Sequence, residues 1–422
     1  MDQDVKRAFI GIMKEELVPA MGCTEPIALA YVAAKARMLL GGVPERIVAY
    51  CSGNMIKNVL CVQIPNSNGM HGIEAAVALG AVGGDARSDM EVLEAVDDAD
   101  RELAADLVAK GVCSVEYLDS DIPLHFIVEE ARKDTTVSIE VRYSHLNIVR
   151  IVRNGEVLFE RDLGEGGVGT ADRSLLSMEN IKQFADEIEL SEVRELIDRQ
   201  IRDNMEIAYE GLSGKYGIGI GKTIRECYPD SSVTRMKALA ASASEARMDG
   251  CDMPVVINSG SGNQGIASSV PVIVYAREHG FDREKLYRAL IFSALLAVYQ
   301  KKYIGELSAF CGAVSASCAA CAAITYMCDG TMEQIRDTVD NTLANIPGII
   351  CDGAKISCAA KIATSIDAGM MAHYLSMHHK AYQAFTGILK ESAGETIRCV
   401  GHIGKVGMRE TDKEIVKKML DR

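Results

Sequence analysis

The chain has no tryptophan, and aromatic residues fill only 5% of its 422 positions. Sandwiches and barrels draw on aromatic and β-branched residues, so an all-β architecture has little to build with. Long apolar runs are missing too. The most hydrophobic stretches, such as IFSALLAV at 291–298, fall far short of the roughly 20 residues a bilayer-spanning helix needs. The opening MDQDVKRAFIGIMKEELVPAMG is charged and amphipathic, without the continuous apolar core of a secretory signal. Nor is there a basic excess. The 45 Lys and Arg against 59 Asp and Glu leave a net charge of −14, the wrong sign for a nucleic-acid backbone. Neither nucleic acid nor membrane is expected as a partner, and the expected location is cytoplasmic.

What is present is small residues and thiols, with 37 glycines and 13 cysteines. A hydrophobic fraction of 48% and a charged fraction of 25% describe an ordinary soluble globular chain. Its length implies two domains, or one core carrying an inserted module. Disulfides are rare in a reducing compartment, so an odd cysteine count reads as free thiols, with a metal site as the alternative.

Apolar residues recur at helical spacing over 25–40 and 90–110. Between them lie a short strand at 46–52 and a polar, Asn-rich loop reaching residue 72. Beyond residue 113 the texture changes: HFIVEEA, TVSIEV and NIVRIVRNGEVLF are β-branched runs, and Asn154-Gly155 is a hairpin signal. GEGGVG, 164–169, reads as a flexible exit from this region. Helices are then expected over 191–211, 233–248, 283–299, 307–327, 332–343 and 354–375, with a short one closing the chain. The expected class is α+β: a predominantly helical core with an inserted small antiparallel β-rich subdomain. The partition is an N-terminal helical part at 1–110, the β-rich insert at 111–169 and the main helical part at 170–422.

Two motifs mislead. Gly260-Ser-Gly262-Asn-Gln-Gly265 matches a dinucleotide fingerprint, but that fold needs a βαβ unit, and here helix follows helix. The loop still offers N–H donors to an anion at a helix start, or is simply a tight turn. Gly221-Lys222-Thr223 resembles the end of a P-loop, yet Tyr216 stands where the first glycine belongs. GLSGKYGIGIGKT reads instead as a mobile loop able to close over a substrate.

Four cysteines stand apart from the rest. Cys23 lies in VPAMGCTEPIALA, just ahead of a helix start, where the dipole favours thiolate. Cys311 opens CGAVSASCAAC, while Cys351 and Cys358 share NIPGIICDGAKISCAAK. Pro347-Gly348 and Asp352-Gly353 put Cys351 in a turn, with Cys358 in the first turns of the following helix, so that both sulfurs can face one site. Cysteine also packs as a small hydrophobe. That reading suits Cys318, Cys321 and Cys328 among alanines, and Cys51, Cys61, Cys113, Cys227, Cys251 and Cys399. Scarce histidine near these positions gives a zinc finger no footing. Dispersed thiolates are compatible with an iron–sulfur cluster, although spacing alone does not choose it.

MGCTEPIALA, SGNMIKNVLCVQIPNSNGMHG, NSGSGNQG, Cys311 and IPGIICDGAKISCA together resemble the L-cysteine desulfidase family, which is related to the α-chain of the iron–sulfur L-serine dehydratases. The resemblance implies an oxygen-sensitive [4Fe-4S] lyase without pyridoxal phosphate, converting L-cysteine to pyruvate, ammonia and sulfide. Within it, Cys311 and Cys351 match cluster ligands, and Cys358 matches a third at a shorter spacing than the dehydratase pattern. Cys23 matches the required N-terminal cysteine, as a fourth ligand or a thiolate base, with Glu25 an alternative base. The carboxylate of a small amino-acid substrate would take N–H donors from Ser259, Gly260, Ser261, Gly262, Asn263, Gln264 and Gly265. Asn54, Lys57 and Asn58 are candidates for orienting it, against the plainer reading of solvated loop residues. L-Serine dehydration and a non-catalytic iron–sulfur sensor or carrier stay open as alternatives, as does a pyridoxal-phosphate lyase. A Gly/Ala-rich helical chain of this size commonly pairs as a homodimer.

Overall fold

The structure, a computed structural model, describes residues 2–161, 171–305 and 307–420; the GEGGVG segment lies outside the described residues. Two sheets organise it. A two-stranded ribbon pairs β1 (Pro19–Met21) with a distant strand, Pro254–Val256, in antiparallel register, Pro19 opposite Val256 and Met21 opposite Pro254. The other sheet has six strands: β2 (Arg46–Cys51), β3 (Cys113–Tyr117), β4 (His125–Arg132), β5 (Thr135–Arg142), β6 (Ile148–Arg153) and β7 (Glu156–Glu160), in the order β3-β2-β4-β5-β6-β7. The strand Pro254–Val256 is β8.

The class is α+β, as expected, but the six-stranded sheet is mixed. The pairs from β2–β4 to β6–β7 are antiparallel, whereas β2 and β3 run parallel, Ile47 opposite Cys113. A parallel pair needs a long crossover, and the helices Gly53–Val59, Gly72–Gly83 and Asp98–Ala109 supply it between these two strands. The sheet therefore recruits residues 46–51 from outside the β-rich stretch. Val137, Ile139 and Val141 of β5 alternate into the core. At the far edge β7 is exposed at every position and ends in glutamates at both termini, which discourages pairing with another chain. Asn154 (φ 50°) and Gly155 (φ 81°) make the expected hairpin turn between β6 and β7.

The main core consists of helices rich in Ala, Gly and Ser, among them Thr24–Leu40, Ser232–Met248, Gly262–Glu278, Arg283–Ile304, Gly312–Met327 and Cys358–Met377. Their small side chains let backbones approach closely. A Cβ added at Gly80 would lie 2.1 Å from the Ala30 carbonyl oxygen, so glycine is required where those two helices cross. Some expected boundaries move. The 90–110 helix begins only at Asp98, where Asp97 caps it reciprocally with Asp100. The 307–327 helix begins at Gly312 and the 354–375 helix at Cys358. Residues 53–59, expected as loop, form a short helix.

Two small pairings bring distant segments together. The β1–β8 ribbon, extended by a 2.9 Å bond from the Ile257 N–H to the Val18 carbonyl, sets the approach to Cys23 beside the approach to Ser259. A bridge between Phe310 and Ile350 does the same for Cys311 and Cys351. There the Cys311 N–H meets the Ile349 carbonyl at 2.8 Å, and the Cys351 N–H meets that of Ala309 at 2.7 Å.

Candidate active site

Four helix N-termini converge on one cavity. Cys23, Ser261 and Cys311 are the N-cap residues of the helices Thr24–Leu40, Gly262–Glu278 and Gly312–Met327, and Cys358 is the first residue of the fourth. None of the four N-cap side chains bonds back to its own helix. Elsewhere Asp97, Ser177, Ser231, Asp282, Thr331 and Ser392 do cap theirs. The uncapped ends point N–H groups and the positive ends of four helix dipoles at a common space. That space, about 680 Å³ with its open mouth, is lined by Cys23, Cys311, Cys351 and Cys358 together with Glu25, Asn58, His145, Arg247, Lys301 and the Ser259–Gln264 turn.

The turn is tighter than an open anion nest. Asn258 and Ser261 exchange backbone hydrogen bonds of 3.1 and 3.0 Å. The residues between them, Ser259 and Gly260, have φ of 49° and 72°, as a type I′ turn requires. Helix start and turn together present Ser259, Gly260, Ser261, Asn263 and Gln264 to the cavity. Gly262 and Gly265 act by omission. A Cβ at Gly262 would strike the Arg247 guanidinium at 2.2 Å, and one at Gly265 the Val256 carbonyl at 2.1 Å. No dinucleotide unit follows, because β8 pairs antiparallel with β1 and leads into helices.

All thirteen cysteines are free thiols. The thiol of Cys311 donates to Cys351, and this bond, aided by the Lys57 charge and the Gly353 N–H, holds Cys351 down at about 6 despite its burial. Cys23 goes against expectation. Burial pushes its thiol up to about 12, and the neighbouring Arg247 charge offsets this only in part. The helix start does not produce a thiolate here because the sulfur is almost wholly removed from water. Burial also raises Cys358, opposed by the Lys355 N–H.

These four thiols suit an iron–sulfur cluster in chemistry: the donor set is all sulfur, on the wall of one cavity, facing positive helix ends. Among the described residues, no group of three or more His, Cys, Asp or Glu is gathered closely enough to hold a metal ion, whereas a cluster takes its ligands at separate irons. Cys318 and Cys321, the chain's C-x₂-C spacing, are fully buried in mid-helix and serve packing.

The remaining cavity groups are polar, and several lack partners. Asn58 Oδ1, Gln264 Oε1, Arg247 Nε and His145 Nε2 are buried without a hydrogen bond. Asn58 donates instead to Glu25 at 2.9 Å, and Thr24 donates to the same carboxylate at 3.0 Å. Asn263 is held by Ser244 at 2.9 Å. His145 arrives from the turn between β5 and β6, and burial lowers its imidazole below the usual histidine range.

Arg247, His145 and Lys301 escape sequence reasoning. Arg247 ends a helix, where a cation is unremarkable; His145 is a lone histidine between strands, more than 150 residues from the cysteine loops.

Of the three polar residues in the 53–59 helix, only Asn58 lines the cavity. Asn54 and Lys57 turn to the C-terminal helix Arg409–Leu420, where both bind the Asp412 carboxylate, Asn54 at 2.7 Å and Lys57 at 2.5 Å. The GLSGKYGIGIGKT segment is fastened rather than poised as a lid. Ile218 and Ile220 donate their N–H groups to Glu245 at 2.7 Å each, and Gly217 donates to Asp249 at 2.8 Å. A carboxylate occupies the place where a P-loop would hold phosphate.

Residues 87–417 match the family described as serine dehydratase alpha chain. Whole-chain relatives include the UPF0597 protein of Lachnoclostridium phytofermentans, 46% identical over 415 residues, covering 98% of this chain and 100% of that one. The UPF0597 protein of Desulfitobacterium hafniense is 43% identical over 417 residues, with coverage of 99% and 97%. That of Treponema denticola is 43% identical over 427, with coverage of 100% and 99%. With three quarters of its length matched by the family and its cysteine-lined cavity inside that match apart from the N-terminal wall, the chain belongs to the serine dehydratase alpha chain family.

Proposed function

We propose that the protein is an iron–sulfur-dependent lyase that removes the β-substituent of a small L-amino acid, with L-cysteine the first substrate to try and L-serine the second. Family membership points to lyase chemistry on an amino acid. The observation that carries the reading further is the division of the cavity's polar groups. Glu25, Asn58 Oδ1 and Gln264 Oε1 are acceptors suited to an ammonium group, while Arg247 and the uncapped helix starts are donors suited to a carboxylate. A zwitterion satisfies both sets, whereas a sensor or carrier has no use for them.

Cys311, Cys351 and Cys358 would hold the cluster, with Cys23 as a fourth thiol. When bound there, a cluster supplies Lewis acidity for the departing sulfur or oxygen. Arg247 holds the α-carboxylate by charge-assisted bonds. Glu25, steadied by Thr24 and Asn58, holds the ammonium group. His145, kept neutral by burial, takes the α-proton on Nε2. The electron pair left at Cα forms the Cα–Cβ double bond as the Cβ–S bond breaks, and the sulfur leaves as hydrosulfide with the electron pair of that broken bond. The 2-aminoacrylate product tautomerises, and water hydrolyses it to pyruvate and ammonia. With L-serine the leaving group is hydroxide.

Anaerobic reconstitution with iron and sulfide, followed by assays of sulfide release from L-cysteine and pyruvate release from L-serine, tests this. Turnover of either supports the lyase, and their ratio assigns the substrate. A cluster-loaded protein that consumes neither refutes it.

A further inference from the structure

Lys57 is an expensive residue to bury. Its side chain is 0% exposed, and its charge is matched by Asp412, which comes from the C-terminal helix. Asn54 grips the second oxygen of the same carboxylate at 2.7 Å, so one short helix, Gly53–Val59, holds Asp412 by both oxygens. The helices meet closely: a Cβ at Gly53 would lie 3.2 Å from Val416.

The upper side of Lys57 faces the cysteine loops. Its Nζ lies 3.4 Å from the Ser308 carbonyl, three residues before Cys311. Its own carbonyl lies under Gly353, two residues after Cys351, where an added Cβ would come within 2.2 Å. Gly353 has φ 94°, and its own carbonyl accepts the Cys358 thiol at 3.8 Å. Lys57 thus touches the two segments that flank the Phe310–Ile350 bridge, at Ser308 and Gly353, and shapes the turn from which Cys351 and Cys358 diverge. The lysine can sit there fully buried because Asp412 neutralises it.

We infer that Asp412 of the C-terminal helix is a positioning residue for the cysteine loops, acting through Lys57. This inference rests on the reading of Cys311, Cys351 and Cys358 as cluster ligands, but its structural half is independent of that reading. The C-terminal helix then belongs to the metal site's outer support, although it carries no ligand. Groups that orient ligands typically change metal retention by about 10- to 100-fold when removed.

The test uses the full chain with Asp412→Asn, Asp412→Glu and the paired apolar replacement Lys57→Met/Asp412→Leu, which removes both charges and guards against a variant that merely fails to fold. Val416→Ala controls for packing of the same helix. In metal-free protein, hydrogen exchange of the 308–312 and 349–354 peptides should speed up in Asp412→Asn and in the double variant, revert in Asp412→Glu, and stay at the wild-type rate in Val416→Ala. After anaerobic reconstitution, iron loss to a chelator should follow the same order, about tenfold faster in Asp412→Asn. Wild-type exchange in both Asp412→Asn and the double variant overturns the inference. If exchange changes as stated but wild-type protein takes up no iron, the positioning role stands and the cluster reading falls.

Discussion

Glu130 on β4 gives the sharpest quantitative prediction. It is 0% exposed, flanked by Ile47 on β2 and Val137 on β5, and neither carboxylate oxygen has a hydrogen-bond partner. The cation that opposes this burial, Arg37, spends its guanidinium on the carbonyls of Val82 and Gly84. Burial therefore pushes the Glu130 carboxyl up to about 8, with Arg37 opposing only weakly. The folded protein keeps a proton that the unfolded chain releases near 4.5. The stability from this group is fully present below 4.5, falls as pH rises through the window up to about 8, and flattens beyond it. The full loss is about 5 kcal/mol, of which about 3.5 falls between about pH 5 and pH 8. In Glu130→Gln this titration is absent, while the fixed cost of a buried amide is the same at every pH. For a chain of this length about 1 kcal/mol corresponds to about 1 °C in melting temperature. The wild-type protein should therefore lose about 4 °C more than Glu130→Gln over that range, measured by circular dichroism melts in matched buffers. Other titrating groups cancel in the difference. Parallel melting curves against pH, or a wild-type melting temperature that rises relative to that of Glu130→Gln as pH rises, would refute the assignment of a protonated, unpartnered acid.

Three further outcomes follow from the site. Cys311→Ala and Cys351→Ala should each abolish iron retention, while Cys321→Ala should keep it and lose about 1 kcal/mol of stability from the gap beside Gly369; metal analysis and melting separate the two. Arg247→Lys should raise KM by about tenfold or more with a smaller change in kcat, because one ammonium cannot replace a planar fork on a carboxylate. The acid limb of kcat/KM in the loaded enzyme should lie below the 6.5 of an ordinary imidazole, since burial keeps His145 neutral to lower pH. His145→Gln should remove that limb along with most of the rate.

The parts of this fold legible in the sequence are those governed by short-range periodicity. Residues 25–40 and 233–248 repeat small and apolar side chains at helical spacing, and the helices stand within a residue of those limits. Asn154-Gly155 made its hairpin because both positions need positive φ, which these residues tolerate. The cysteines that matter were visible for a similar reason: Cys23, Cys311 and Cys351 sit where Gly and Pro interrupt a helical pattern. Asn54 and Lys57 were misleading because a short polar helix and a polar loop look alike until the partner is known. That partner, Asp412, lies 355 residues beyond Lys57. Arg247 and His145 carried no local mark at all. Their significance is burial, and burial depends on what covers them.

The site's dependence on small contacts also explains why its geometry could not be read from spacing. Cys23 reaches the wall formed by Ser259–Gln264 through a ribbon of three residue pairs. Cys311 reaches Cys351 through a single bridge with two backbone hydrogen bonds. Such pairings are far too short to be stable alone. They hold because the helices that follow them are long and packed on all sides, with 17 residues after Cys23, 16 after Cys311 and 20 from Cys358. Each helix acts as a rigid mount, and its first turn carries the chemistry. A substitution deep in one mount, such as an added side chain at Gly80, whose Cβ would come within 2.1 Å of the Ala30 carbonyl on the Thr24–Leu40 helix, should therefore shift Cys23 without touching the cavity. Such a change would show as altered Cys23 alkylation, while the Cys311–Cys351 pair, held by the Phe310–Ile350 bridge away from that helix, should react as before.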